Sequence, residues 1–209
     1  MALNKTIDKI KKKNRYIYIK LRSDENEYKF HPEICALFQF HQEKTFSEER
    51  WQEIINTNNE KLAMQTTLEL ITRREHSRGE INSKLRLRGY SQEIIDKVIE
   101  TCLQLQLLDD KKFTEIYVKE LRNKGLGINR IKIQLLKKQI NNDIIKTILN
   151  DKTVSDEQFQ QAEKVLKRKL QTLKREKDPR KRKHKALRFM YYRGYPTEIV
   201  SHLLEKLDL

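Results

Sequence analysis

The segment Leu85-Arg-Leu-Arg-Gly-Tyr-Ser-Gln-Glu-Ile-Ile95 recurs as Leu135-Leu-Lys-Lys-Gln-Ile-Asn-Asn-Asp-Ile-Ile145 and again as Met190-Tyr-Tyr-Arg-Gly-Tyr-Pro-Thr-Glu-Ile-Val200. A chain that repeats itself builds one small module several times, because stacked copies bury apolar faces that a lone copy leaves in water. Gly89, Gln139 and Gly194 correspond, 50 and then 55 residues apart, which is room for three short helices with tight connections. Around each break lies an apolar stripe at helical spacing: Leu85, Ile94, Ile95, Val98 and Ile99, then Leu135, Ile144, Ile145 and Ile148, then Met190, Ile199, Val200 and Leu203. These are core residues. Gly89 and Gly194 suit a helix that exits through a left-handed residue, whereas Gln139 would be strained there, so another geometry is expected at the second break.

The helix boundaries follow from capping signals. In the first module, helix one spans roughly Glu60 to Arg74, Ser77 and Glu80 form a capping box for helix two, and Ser91 caps helix three, which ends near Leu105. The second module runs from Asp110 through Ile148, broken at Gly125 and Gly127, with Asn141 as cap of its last helix. The third opens on Ser155 and Gln158, again a capping-box pattern, starts its last helix at Pro196 and ends at Leu207. Composition agrees: 36% charged residues with 5 Gly and 3 Pro disfavour an all-β chain, and 37% hydrophobic residues suit several small cores.

The first sixty residues differ. Arg15 to Leu21 alternates, Ser23 to Asn26 is turn material and Tyr28 to Phe30 is extended, which predicts a small hairpin or three-stranded sheet, with a strand from Thr6 to Ile10. His31-Pro32 opens a short helix through Phe40, and Ser47 with Glu48 and Glu49 caps a helix carrying Trp51, Ile54 and Ile55, where Trp51 is a structural anchor. The expected class is mainly α: a small N-terminal β-hairpin and helix element over residues 1–59, then three-helix repeats over 60–108, 109–150 and 151–209.

Lys and Arg (45) outnumber Asp and Glu (30), a net charge of +15 that draws polyanions. The third module is the most one-sided, with Lys164, Lys167, Arg168, Lys169, Lys174, Arg175, Lys177, Arg180, Lys181, Arg182, Lys183 and Lys185 against only Glu176 and Asp178 within that run. The first offers Arg73, Arg74, Arg78, Lys84, Arg86 and Arg88, and the second Lys124, Arg130, Lys132, Lys137 and Lys138. A solvated helix face accounts for any one of these residues. The set, recurring at matching positions, points to a basic surface facing phosphate or acidic protein. Tyr90, Tyr191, Tyr192 and Tyr195 lie beside it and could stack on bases, but Tyr90 and Tyr195 fill the apolar position of Ile140, which favours packing.

No catalytic constellation emerges. Asp109-Asp110 reads as a helix cap without a third metal ligand, the five histidines are scattered, and there is no GxxxxGK[ST] loop. No cofactor or metal is expected. Cys35 and Cys102 match no CxxC spacing and form no disulfide framework, which implies a reducing cytoplasm. No apolar stretch approaches the roughly 18 residues of a membrane span, and Met1 to Lys13 lacks a secretion-signal segment.

Three tandem modules, with Arg73-Arg-Glu-His-Ser-Arg-Gly-Glu-Ile81 in the first and Leu108-Asp-Asp-Lys-Lys-Phe113 opening the second, resemble the RecX family over roughly residues 60 to 207. Ile81 stands where that family usually has Leu, and Gln139 where Gly is common. The resemblance implies a curved, elongated helical array lying along a RecA-type recombinase filament on DNA, limiting filament growth, ATP turnover and strand exchange, with no enzymatic activity of its own. A monomer suffices for such an array. Two other classes remain open: a helical module that binds DNA or RNA directly, and a nuclease using Asp109 and Asp110.

Overall fold

The structure, a computed structural model, describes the backbone of residues 4–149 and 152–206 and the side chains of all of these but 152–157. Its elements are β1 (Lys5–Lys13), β2 (Tyr16–Leu21), β3 (Glu27–Phe30), α1 (Pro32–Leu37), β4 (Thr45–Phe46), α2 (Glu48–Ile71), α3 (Arg78–Arg86), α4 (Gln92–Gln104), α5 (Asp110–Asn123), α6 (Ile128–Lys137), α7 (Asn142–Leu149), α8 (Lys152–Thr172), α9 (Pro179–Arg193) and α10 (Thr197–Lys206). The fold is mainly helical with a small strand element at the N-terminus, as the sequence predicts. It divides into two compact units, one running to Glu75 and resuming over Ile81–Leu108, the other made of His76–Glu80 and the chain from Asp109.

In the first unit the sheet has four antiparallel strands, in the order β3-β2-β1-β4, one more than expected because Thr45–Phe46 pairs with Lys5 and Thr6. Alternation along β1 and β2 turns Ile7, Ile19 and Leu21 inward, where they meet Phe30 and the first turns of α2. Trp51 is the anchor of this core, its ring 5.6 Å from those of Tyr28 and Phe30. α1 stops at Leu37 rather than Phe40, since Gln39 turns to φ 51°. Ser47 caps α2 by accepting from the Arg50 N–H at 3.2 Å.

α2 then runs unbroken for 24 residues, so the separate helix expected from Glu60 is the second half of one helix. The polar run Asn56-Thr-Asn-Asn59 lies inside this helix although Asn ordinarily favours turns. Here Asn58 is buried and bound instead: its side-chain oxygen accepts from the His31 N–H and its amide donates to the Lys29 carbonyl, both at 2.9 Å. The far half of α2 packs with α4 and α3 around Ala63, Ile81, Leu85, Ile95, Val98 and Cys102. In the second unit, α5 to α7 enclose Phe113, Leu121, Ile131, Leu135 and Ile145, and α8 to α10 enclose Leu166, Ala186, Met190, Tyr195, Val200 and Leu203.

The three repeated breaks share one geometry. Gly89, Gln139 and Gly194 have φ of 84°, 57° and 86°. Each N–H bonds the carbonyl three residues back and the next N–H bonds the carbonyl five back: Gly89 to Arg86 and Tyr90 to Leu85, Gln139 to Leu136 and Ile140 to Leu135, Gly194 to Tyr191 and Tyr195 to Met190. The expectation of a different second break is therefore corrected. A left-handed non-glycine residue costs about 1–2 kcal/mol, and Gln139 bears this because both hydrogen bonds form, Ile140 seats in the core, and its Cβ lies against Gly79, where a side chain would come within 2.4 Å.

Ser91 and Asn141 cap their helices as expected, accepting from the N–H groups of Ile94 and Asp143. α8 already runs from Lys152, so Ser155 falls inside the helix rather than before it, and the expected end at Leu207 lies outside the described residues. Asp178 supplies the cap of α9, its carboxylate accepting from the Arg180 N–H at 2.9 Å, with Pro179 at the first helical position where its missing N–H costs nothing.

One joint is built twice in the second unit. The start of α6 sits on the exit of α9: the N–H groups of Gly127 and Asn129 donate to the carbonyls of Arg193 and Gly194 at 2.9 and 3.1 Å. A Cβ on Gly127 would meet the Gly194 oxygen at 2.4 Å. The start of α3 sits likewise on the exit of α6, with the Ser77 hydroxyl donating to the Lys138 carbonyl at 2.9 Å and Gly79 against Gln139. At the first joint N–H groups of a helix start meet carbonyls at another helix's end, and at the second a serine hydroxyl takes their place.

Candidate nucleic-acid and partner interface

Of the basic residues singled out by sequence, some are ion-paired within the fold, some have exposed side chains and others are half-buried. Arg78 belongs to the first. Its N–H donates to one oxygen of Asp110 and its Nε to the other, both at 2.8 Å, while the Asp110 side chain is 5% exposed. Lys138 lies 2.5 Å from Glu80, itself buried, and Lys167 and Lys185 pair with Glu163 and Glu176 at 2.8 and 2.5 Å. Glu163 and Glu176 are held below the usual carboxylate range by hydrogen bonds from these lysines.

The outward group includes Arg73, Arg74, Arg86 and Arg88 in the first unit and Lys132, Lys137, Arg168, Arg175, Arg180, Lys181 and Lys183 in the second. Lys84 is half-buried, its carbonyl accepting from Arg88 Nη1 at 2.9 Å. Arg130 is half-buried too, with its guanidinium 5.6 Å from the ring of Tyr192. On α9 the spacing decides orientation. Arg182, Ala186 and Met190 form the i, i+4, i+8 row that enters the core, so Arg182 is half-buried and its Nε is buried without a hydrogen-bond partner. Arg180, Lys181 and Lys183 stand on the solvent side of the same helix.

The tyrosines divide as packing predicts. Tyr195 is buried, its hydroxyl donating to the Gly125 carbonyl at 3.3 Å, and burial pushes its pKa up to about 12. Tyr90 is half-buried and its pKa is raised for the same reason. Tyr191 and Tyr192 remain 44% and 73% exposed beside the basic residues.

Asp109 and Asp110 have structural duties. Asp109 caps α5, accepting from the N–H groups of Lys111 and Lys112 at 2.8 and 3.0 Å, and Asp110 holds Arg78. Among the described residues no cluster of His, Cys, Asp and Glu is placed to hold a metal ion, and no helix is long and apolar enough to cross a membrane.

A grouping that the sequence did not reveal lies in the second unit. The end of α5, the middle of α8 and the end of α9 enclose a cleft of about 310 Å³ lined by Lys124, Arg168, Lys169 and Arg193, with Val165 and Phe189 as apolar wall. Lys124, Arg168 and Lys169 were read as members of separate basic runs and Arg193 was not singled out, because cations so far apart in the chain show no local pattern that would group them.

A chain of three-helix modules with left-handed helix stops and a small N-terminal sheet is a helical repeat protein. The sequence profiles of the first and third three-helix domains of RecX match residues 63–102 and 156–204. The regulatory protein RecX of Clostridium acetobutylicum is 32% identical over 211 residues, covering 97% of this chain and 96% of that protein. RecX of Pseudomonas putida is 33% identical over 145 residues, covering 69% of this chain and 90% of that protein. Two crystal structures share the fold: one of a regulatory protein RecX (TM-score 0.68, 18% identity, 96% of this chain and 99% of that one) and one of RecX from Lactobacillus salivarius (TM-score 0.65, 21% identity, 73% and 98%). The chain belongs to the RecX family of regulatory proteins.

Proposed function

We propose that this protein regulates RecA-type recombinase filaments on DNA by contact, restraining filament growth, ATP turnover and strand exchange without catalysing a reaction. The observation that carries this reading is the exposure of Arg180 and Lys181 at the start of α9, a helix that commits Ala186 and Met190 to the core. Like charges so close repel one another, and an anionic partner relieves that cost. Membership in a family of regulatory proteins and the structural employment of Asp109 and Asp110 support a contact role over hydrolysis. The outward residues named above, from Arg73 to Lys183, are the proposed contact set. A monomer suffices in this reading.

The experiment is to titrate the protein into a cognate recombinase on single-stranded DNA and follow ATP turnover and strand exchange. A dose-dependent fall in both, weakened when Arg180, Lys181 and Lys183 are changed to Glu, is the expected result. No change in either, together with tight salt-sensitive binding to bare DNA, would replace the proposal with direct nucleic-acid binding.

A further inference from the structure

The cleft between the end of α5, α8 and α9 gathers four cations and no carboxylate on its walls. Lys124 has Glu120 as a neighbour one turn back on its own helix. Arg168 and Lys169 have no carboxylate within ion-pairing distance among the described residues; Glu163, earlier on α8, and Glu176, in the connection to α9, bind Lys167, Lys206 and Lys185 instead. Arg193 is oriented, not neutralised: its Nη1 donates to the Lys124 carbonyl at 2.6 Å, which uses one of five donors and leaves the rest of the guanidinium fork available. Phe189 lies under both Lys169 and Arg193, whose charged groups stand 5.1 and 5.2 Å from its ring centre. The ring fixes the two side chains by cation–π attraction without consuming their charge.

Holding positive groups together on a partly apolar wall is unfavourable unless an anion completes the arrangement. The geometry fits a tetrahedral oxyanion: an arginine fork and a lysine ammonium are the donors that phosphate oxygens accept best. The volume, about 310 Å³, stands at the lower limit of the roughly 300–1,000 Å³ of small-ligand sites, room for one nucleotide unit and not for a duplex. We propose that this cleft is a phosphate site that takes one phosphodiester of a single nucleic-acid strand, with Arg168, Lys169 and Arg193 as its donors and Phe189 as the wall facing the sugar or base. This deepens the nucleic-acid side of the reading above and rests on it only in taking the ligand to be a strand. Because the probe is bare DNA, its failure leaves the recombinase assay standing, and failure of that assay leaves the cleft standing.

The test is fluorescence anisotropy of a labelled oligothymidylate against the full chain over a series of salt concentrations. Two charge-matched variants are compared, Arg168→Ala with Lys169→Ala in the cleft, and Lys12→Ala with Lys13→Ala on the exposed tip of β1, which lies outside the proposed contact set. Losing one phosphate contact should flatten the plot of log affinity against log salt by about 0.7 for the cleft variant. Its low-salt affinity should fall about tenfold while the β1 variant stays within about twofold of the parent. Equal losses in both variants, or none in the cleft variant, would overturn the proposal. The single change Arg168→Gln, on an exposed side chain without a partner among the described residues, repeats the test with least disturbance to the fold. Thymidine monophosphate should displace the strand only at high excess. Tight binding of the free nucleotide with no cleft-dependent strand binding would assign the site to a small phosphoester and reject the strand.

Discussion

Gly89 and Gly194 occupy the same backbone conformation in different surroundings, which separates two costs of a side chain there. At Gly89 an added Cβ would meet nothing within 4 Å, so Gly89→Ala bears only the left-handed penalty, about 1–2 kcal/mol. At Gly194 the Cβ would also lie 2.4 Å from the Arg130 nitrogen, in the joint with α6. Denaturant unfolding should therefore show a modest drop in midpoint for Gly89→Ala and a clearly larger one for Gly194→Ala; equal drops would mean that the joint yields freely. The glycine stops were legible in the sequence because glycine is the residue that enters this region at least cost. Gln139 was not, because what offsets its strain comes from Gly79, sixty residues earlier. The cysteines make a second test at this scale. Both are buried, and burial pushes the Cys35 thiol up to about 11 and raises that of Cys102. At pH 8 both should react with a thiol reagent slowly in the native protein and rapidly in denaturant, since the thiolate is the nucleophile. A thiol pKa raised on folding also leaves stability intact below the ordinary value of 9.0 and erodes it as pH climbs toward 11, because the unfolded chain ionises first.

Among the elements, the helices and their order were legible from apolar spacing and caps, and the errors fell where a polar residue has a partner distant in sequence. The helix start expected near Glu60 falls inside α2, where Asn58 is held by bonds to Lys29 and His31 that the local sequence does not show. Arg78 looked like a surface cation because Asp110, which holds it, belongs to a different helix. That pair fastens the start of α3 to the start of α5, so its loss should be felt in stability first. A double-mutant cycle with Arg78→Ala and Asp110→Ala should return a coupling of about 1–3 kcal/mol in unfolding experiments, the range for groups sharing a hydrogen-bonded network. The exposed pair Lys97 and Glu93 on α4 should return only about 0.3–0.5 kcal/mol, as surface pairs one turn apart do. If the two couplings came out alike, Arg78 would rejoin the outward contact set.

Over the whole molecule, the charge of +15 was visible at once, but which cations stay exposed was not, since that depends on what the fold brings within their reach. That exposure bears on how the protein chooses a partner. Electrostatic attraction to phosphate alone gives affinity for any strand and loses it steeply with salt, because binding is driven by counterion release. A surface fitted to a recombinase filament adds packed contacts that salt does not screen. If contact with the filament is the function, affinity for recombinase-coated single-stranded DNA at about 0.15 M salt should exceed that for the bare strand by about tenfold or more, with a shallower salt slope. Anisotropy titrations on the two substrates across the same salt series measure this directly. Parallel slopes with equal affinities would make DNA itself the partner and the recombinase incidental. A filament preference that survives reversal of Arg180, Lys181 and Lys183 would move the contact away from α9, toward the outward arginines of the first unit, Arg73, Arg74, Arg86 and Arg88.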